Sequence, residues 1–188
     1  MRKLARNIRA LGTPVANLIV LMSAVILSVT VTFFAMNVTT SQVQKESLYI
    51  SRTHLWYVNT TYSTGAVIVT NTGPTDVVLS KIVVKGLECS WNGTDSFIVY
   101  NKTSSIPQGD LPFLANLTNS EDFEVALGNG TYTFGAAGDD LTLKAGWTMM
   151  CYLALPERLM VYDIGLPVRI VISTAQAVYC TETMVQTS

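Results

Sequence analysis

The stretch LGTPVANLIVLMSAVILSVTVTFFAM, Leu11 to Met36, runs for 26 residues without one ionisable side chain. As an α-helix rising about 1.5 Å per residue it reaches about 39 Å, against a bilayer hydrocarbon core of about 30 Å. Leu18, Ile19, Val20, Leu21, Met22, Val25, Ile26, Leu27, Val29, Val31, Phe33 and Phe34 cover such a helix all round, whereas a helix lying on a soluble core keeps a polar stripe. A secretory signal has an apolar region of about 7 to 15 residues and a prompt small-x-small cleavage site. Neither description fits. The stretch reads as a retained helix that spans a membrane or packs in a filament core.

Charge is arranged around this span. Arg2, Lys3, Arg6 and Arg9 lie in the first ten residues with no acid among them, so the net charge of −1 conceals an acidic remainder. Only Lys45 and Arg52 follow soon after, so the positive-inside rule places the N-terminus in the cytoplasm and everything beyond about Asn37 outside. With 49% apolar and only 13% charged residues, the composition argues against a nucleic-acid partner, a disordered chain or a charged helix bundle. The 188 residues suit one domain plus an appended segment. The expected divisions are a basic leader at 1-10, helix and stalk over 11-49, and an exterior domain over 50-188.

Sequons agree with an exterior placement. Asn37, Asn59, Asn92, Asn101, Asn116 and Asn129 each have Ser or Thr two places on with no intervening Pro, where composition alone predicts roughly two matches among the asparagines. All six lie beyond the span, and glycans are expected on at least two of the last five. The alternative is a Thr-rich β protein that makes sequons by composition, against which six matches stand as an excess.

Beyond the stalk the period changes from helical to two. Ser51 to Asn59 reads as a strand with Leu55 and Tyr57 on one face and His54, Trp56 and Val58 on the other. Ala66 to Thr70 is a short apolar run, and Asn71-Thr72-Gly73-Pro74-Thr75-Asp76 has the chemistry of a tight connection. Val77 to Lys85 follows, with Val78, Ser80, Ile82 and Val84 alternating against Val77, Leu79, Lys81 and Val83. Asn92 to Asn129 is turn-rich; Thr131 to Phe134, Leu141 to Lys144, Thr148 to Leu155 and Val168 to Tyr179 complete seven or so strands. The expected fold class is α+β, mostly β: a long N-terminal hydrophobic helix followed by an immunoglobulin-like antiparallel β-sandwich.

The residues offer little chemistry. His54 is the sole histidine, so a Ser-His-Asp triad or a Cys-His pair has at most one candidate base, with no Ser, Cys or acid spaced around it as a motif, and a two-histidine copper site lacks a ligand. Ser23 and Ser28 lie inside the apolar span, with no paired base for a signal-peptidase mechanism. Glu121, Asp122, Glu124, Asp139 and Asp140 lack calcium-loop spacing, and the glycines at 128, 130, 135 and 138 lack the ending of a phosphate loop. No enzyme, cofactor or metal is expected.

Cys89, Cys151 and Cys180 show no C-x-x-C spacing, leaving room for one disulfide. If Thr148 to Leu155 and Val168 to Tyr179 form a hairpin turning near Met160, Cys151 faces a residue near Arg169. Cys180 then lies about ten residues further on, roughly 33 Å at a strand rise of about 3.3 Å, while a disulfide needs Cα atoms within about 7 Å. The favoured pair is Cys89 with Cys151.

The leader Arg6-Asn7-Ile8-Arg9-Ala10-Leu11-Gly12, basic and ending in Arg-Ala before the apolar run, resembles the class III leader of archaeal type IV pilins and archaellins. The resemblance implies cleavage between Ala10 and Leu11 by a prepilin peptidase, a helix from Leu11 to about Ser47 that waits in the membrane, and homo-oligomeric assembly by a pilus machinery. The run Val67 to Val78 is similar to strand-turn-strand segments of archaeal filament heads. Two positions depart from the pattern: Val15 stands where many type IV pilins carry an acid, and Pro14 sits at the expected helix start, where a first turn tolerates it. The implied function is a structural filament subunit for adhesion or motility. The alternative is a monotopic surface protein whose β domain binds the surface layer or serves as a stator-like part of a filament motor.

Overall fold

The computed structural model describes residues 4–43, 45–128, 130–138, 141–155 and 158–188, with backbone alone at 4–11 and 41–43. Of the positions singled out in the sequence, Arg2, Lys3, Asn129, Asp139 and Asp140 lie outside the described residues. The chain divides into two units, Met1–Gln44 and Lys45–Ser188.

The first unit is one helix, α1 (Leu4–Val43). It starts earlier than the apolar run, so Pro14 lies inside it rather than at its start. An interior proline costs a helix about 3 kcal/mol, because its ring clashes with the carbonyl four residues back and it donates no hydrogen bond. The helix continues past Asn37 to Val43, short of the expected Ser47. By Glu46 and Leu48 the chain is already buried in the second unit, where Thr174 Oγ1 donates to Glu46 Oε2 at 2.6 Å.

The second unit contains β1 (Leu48–Tyr57), β2 (Ser63–Asn71), β3 (Val77–Val84), β4 (Leu87–Cys89), β5 (Ile98–Thr103), β6 (Phe123–Leu127), β7 (Gly130–Ala136), β8 (Thr142–Leu143), β9 (Thr148–Ala154), β10 (Pro167–Thr174) and β11 (Val178–Thr187). They follow the path β4-β3-β10-β11-β1-β2-β9-β5-β7-β6, with β8 paired to β3 off this path. The fold is α+β, mostly β. The expected all-antiparallel pairing needs one correction: β1 and β11 run parallel, with Leu55 opposite Val185. Strands so far apart in sequence are joined by no hairpin that would impose antiparallel order.

Strands β2 and β9 are the centre of the unit, buried on both faces. Val67, Val69, Met149, Cys151 and Leu153 point into a large cluster shared with Val77, Leu79, Ile82 and Val84 of β3 and Val168, Ile170 and Ile172 of β10. The alternate residues Ala66, Ile68, Met150, Tyr152 and Ala154 enter a second cluster. That cluster is covered by Val125, Tyr132 and Phe134 of the β6–β7 pair and by Leu111 and Leu117 from the long connection after β5. The sheet therefore packs sandwich-like, one apolar layer on each side of β2–β9. The face split expected for β1 holds: Leu55 belongs to the first cluster and Trp56 to the second.

Three further readings are corrected. The hairpin joining Thr148–Leu155 to Val168–Tyr179 does not form: β9 pairs with β2 and β5, and β10 with β3 and β11. A strand apolar on both faces is central, and both edges of β9 are taken by neighbours of matching burial. The run Val168 to Tyr179 is also two strands, not one. It turns where Thr174 Oγ1 accepts hydrogen bonds from the amides of Gln176 at 3.3 Å and Ala177 at 2.9 Å, a hydroxyl-centred turn without Gly or Asn to announce it.

In β3 the expected alternation breaks. Val77, Leu79, Ile82 and Val84 are all buried while Ser80 and Lys81 are both exposed, because the pairing with β10 slips between Leu79 and Lys81. Such a bulge moves the second half of a strand to the other parity. The extra carbonyl, that of Ser80, accepts from Trp91 Nε1 at 3.0 Å. At the far end Lys85 and Gly86, with φ of 53° and 82°, make the two-residue link to β4 that matches sheet twist. Lys85 is held there by Asp163, Nζ to Oδ2 2.6 Å.

Candidate functional site

Two surfaces carry the functional reading: the flank of α1 and the sequons of the β unit. In α1, Gly12–Thr40 forms a 29-residue apolar segment whose most apolar 18-residue window has a mean hydropathy of 2.5, and none of it is buried. Leu18, Leu27, Phe33 and Phe34 are between 61% and 71% exposed. This helix is long and apolar enough to cross a membrane. Five of its hydroxyls do not interrupt the apolar surface, because they turn back onto the helix's own carbonyls. Thr30 Oγ1 donates to Ile26 at 2.7 Å, Thr32 to Ser28, Thr39 to Ala35 and Thr40 to Met36 each at 2.8 Å, and Ser23 to Val20 at 2.9 Å. A polar group satisfied within its own helix does not need water, so the flank suits lipid or neighbouring helices alike.

At the leader, Ala10 and Leu11 are both helical in backbone, with side chains outside the described residues. The peptide bond between them lies one turn before Pro14.

The sequons fall into two groups by what their amides are doing. Asn37, expected beyond the span, instead lies inside the Gly12–Thr40 segment of α1, and its Nδ2 donates to Phe33 O at 3.0 Å. Asn101 is half-buried in β5, its Nδ2 donating to Thr133 O at 2.7 Å. The nitrogen that would carry a glycan is engaged in both. Asn59, Asn92 and Asn116 are exposed, outside the strands. Asn59 Oδ1 accepts from Thr61 N at 2.9 Å and Thr61 Oγ1 at 2.8 Å, which sets the sequon's own hydroxyl against the asparagine side chain and leaves the amide nitrogen out of that turn. Asn92 Oδ1 accepts from Asn119 Nδ2 at 3.3 Å.

All three cysteines are free thiols, so the pair Cys89 and Cys151 is not bridged here. Both are fully buried in the large cluster, on β4 and β9. Burial pushes the Cys151 thiol up to about 12. It pushes Cys89 up to about 11 in spite of the Arg158 guanidinium beside it. Arg158 fans out from the segment after β9 to the carbonyls of Leu87 and Glu88 and to Cys89 Sγ at 3.2 Å. Cys180 is exposed on β11.

His54 lies in β1, stacked on Trp56 with ring centroids 5.4 Å apart. Its Nε2 is 3.5 Å from Asp110 Oδ2, and Arg52 Nε is 3.6 Å from Asp110 Oδ1. Arg52 also donates to the carbonyls of Pro107 and Gly109. The group pins the connection after β5 onto β1, where the register against β2 shifts between Ser51 and His54, and supplies no nucleophile. Sequence reasoning missed it, because nothing local marks partners more than fifty residues apart. Among the described residues no cluster of three or more His, Cys, Asp or Glu side chains is placed to hold a metal.

Compared with known proteins, the chain matches no protein-family model and no curated relative.

Proposed function

We propose that this chain is a structural subunit of an extracellular type IV pilus-like filament, serving adhesion or motility and polymerising through α1. The observation that carries the reading is the 29-residue apolar segment of α1, unburied along its length and preceded directly by the basic leader ending in Ala10. Exposed apolar surface on this scale needs a partner. Lipid supplies it before assembly, and copies of the same helix supply it afterwards. The basic leader holds the N-terminus in the cytoplasm, the peptidase of the resemblance removes residues 1-10, and the glycan-bearing β unit stays outside.

The test has two parts. The native protein should begin at Leu11 and be found in filaments by electron microscopy. Val25→Asp should abolish the filaments, since an unpaired carboxylate among packed helices has no partner, while membrane insertion survives a cost of about 2.5–3.5 kcal/mol. A native protein that begins at Met1 and stays monomeric in the membrane establishes the anchored surface protein instead.

A further inference from the structure

In an α-helix the N–H of residue 14 is the donor for the carbonyl of residue 10. Proline has no N–H, and its ring presses on the same carbonyl. Because α1 runs from Leu4 to Val43 through Pro14, Ala10 is the residue whose carbonyl is deprived of its donor. That carbonyl closes the Ala10–Leu11 peptide bond.

We propose that Pro14 is a positioning residue for leader removal: it keeps the scissile carbonyl out of the helical hydrogen-bond ladder and offers it to the peptidase. The inference rests on the proposed filament reading, in which the leader is cut at this bond. Hydrolysis adds one water across the bond. The carbon–nitrogen bond of Ala10 and Leu11 breaks, the water oxygen joins the Ala10 carboxylate, and both protons of the water pass to the Leu11 nitrogen, which leaves as an α-ammonium group. A peptidase acting on a regular helix must first break the hydrogen bond to the carbonyl it attacks, and that work counts against the transition state. Pro14 has done it in advance.

The spacing also explains why the product keeps the proline without penalty. After cleavage Leu11, Gly12, Thr13 and Pro14 are the first four residues of the new helix, and the first four N–H groups of any helix have no intrahelical acceptor. Pro14 is the last position at which a missing N–H is harmless in the mature helix. One residue further on, a proline would free the Leu11 carbonyl instead and would remain a defect after processing.

The experiment uses the full-length precursor in membranes with its native peptidase, comparing wild type, Pro14→Ala, and Pro14→Ala combined with Val15→Pro. Both variants should be cut at least about tenfold more slowly than wild type at saturating precursor. With Ala10 labelled at its carbonyl, the infrared amide band of the uncut precursor should move to lower frequency in Pro14→Ala, reporting the hydrogen bond gained. Pro14→Ala subunits processed to completion should form filaments as wild type does. Cleavage of Pro14→Ala at the wild-type rate, an unmoved band, or failure of the processed variant to assemble overturns the role of Pro14 and leaves the filament reading standing. Wild-type precursor that is not cut between Ala10 and Leu11 overturns both.

Discussion

The side-chain amide of Asn71, wholly buried at the end of β2, donates to the carbonyl of Leu143 at 3.0 Å across 72 residues of sequence. The same nitrogen donates to Thr75 O at 2.8 Å, and Oδ1 accepts from Gly73 N at 3.0 Å. One side chain thus shapes the turn between β2 and β3 and fastens β8 beside it.

Replacing Asn71 with Ala removes three hydrogen bonds and strands the Leu143 carbonyl in a dry site. Each net bond is worth about 0.5–1.5 kcal/mol and an orphaned buried acceptor costs about 1–3 kcal/mol, so a loss of about 2–4 kcal/mol is expected. Denaturant unfolding of the full chain in detergent measures it; a loss below about 0.5 kcal/mol would show that the turn holds without its asparagine.

Glycan occupancy should follow amide availability. Intact mass and glycopeptide mapping of native protein should find sugar on at least two of Asn59, Asn92 and Asn116, and none on Asn37 or Asn101, whose amide nitrogens are engaged by Phe33 and Thr133. Occupied Asn101 would mean that modification precedes the closing of β5 against β7.

Thiol chemistry should separate Cys180 from its fellows. The thiolate is the reactive form, and burial holds Cys89 near about 11 and Cys151 near about 12. Iodoacetamide at neutral pH should label Cys180 alone in folded protein and all three in denaturant. A single labelled cysteine after denaturation would reveal a bridge between the other two.

Asp163 makes the Lys85 turn acid-sensitive. Burial acts to raise its carboxyl, but the hydrogen bond from Lys85, that from the Met160 amide and the lysine charge outweigh it and hold the group below its ordinary 3.8. A carboxyl depressed in the folded state adds stability that is complete above its unfolded value and disappears as pH falls through the folded one. Stability should therefore decline more steeply below about pH 4 in wild type than in Asp163→Asn. Parallel acid-unfolding curves for the two proteins would remove Asp163 from the account.

A helix long and apolar enough to cross a bilayer was legible from composition alone, because a run without charge needs no long-range information to be recognised. So were the change to period two, the two faces of β1 and the turn at Asn71, all of which are set by residues within a few places of one another. Tertiary structure alone decided which strands are neighbours. The run 149–154 is apolar at every position, so its pattern does not say which strands flank it, and β2 and β5 take both edges of β9. The parallel meeting of β1 with β11, the bulge at Ser80 and the bond from Asn71 to Leu143 likewise depend on segments far apart in sequence, whose pairing is set by the burial of both partners together.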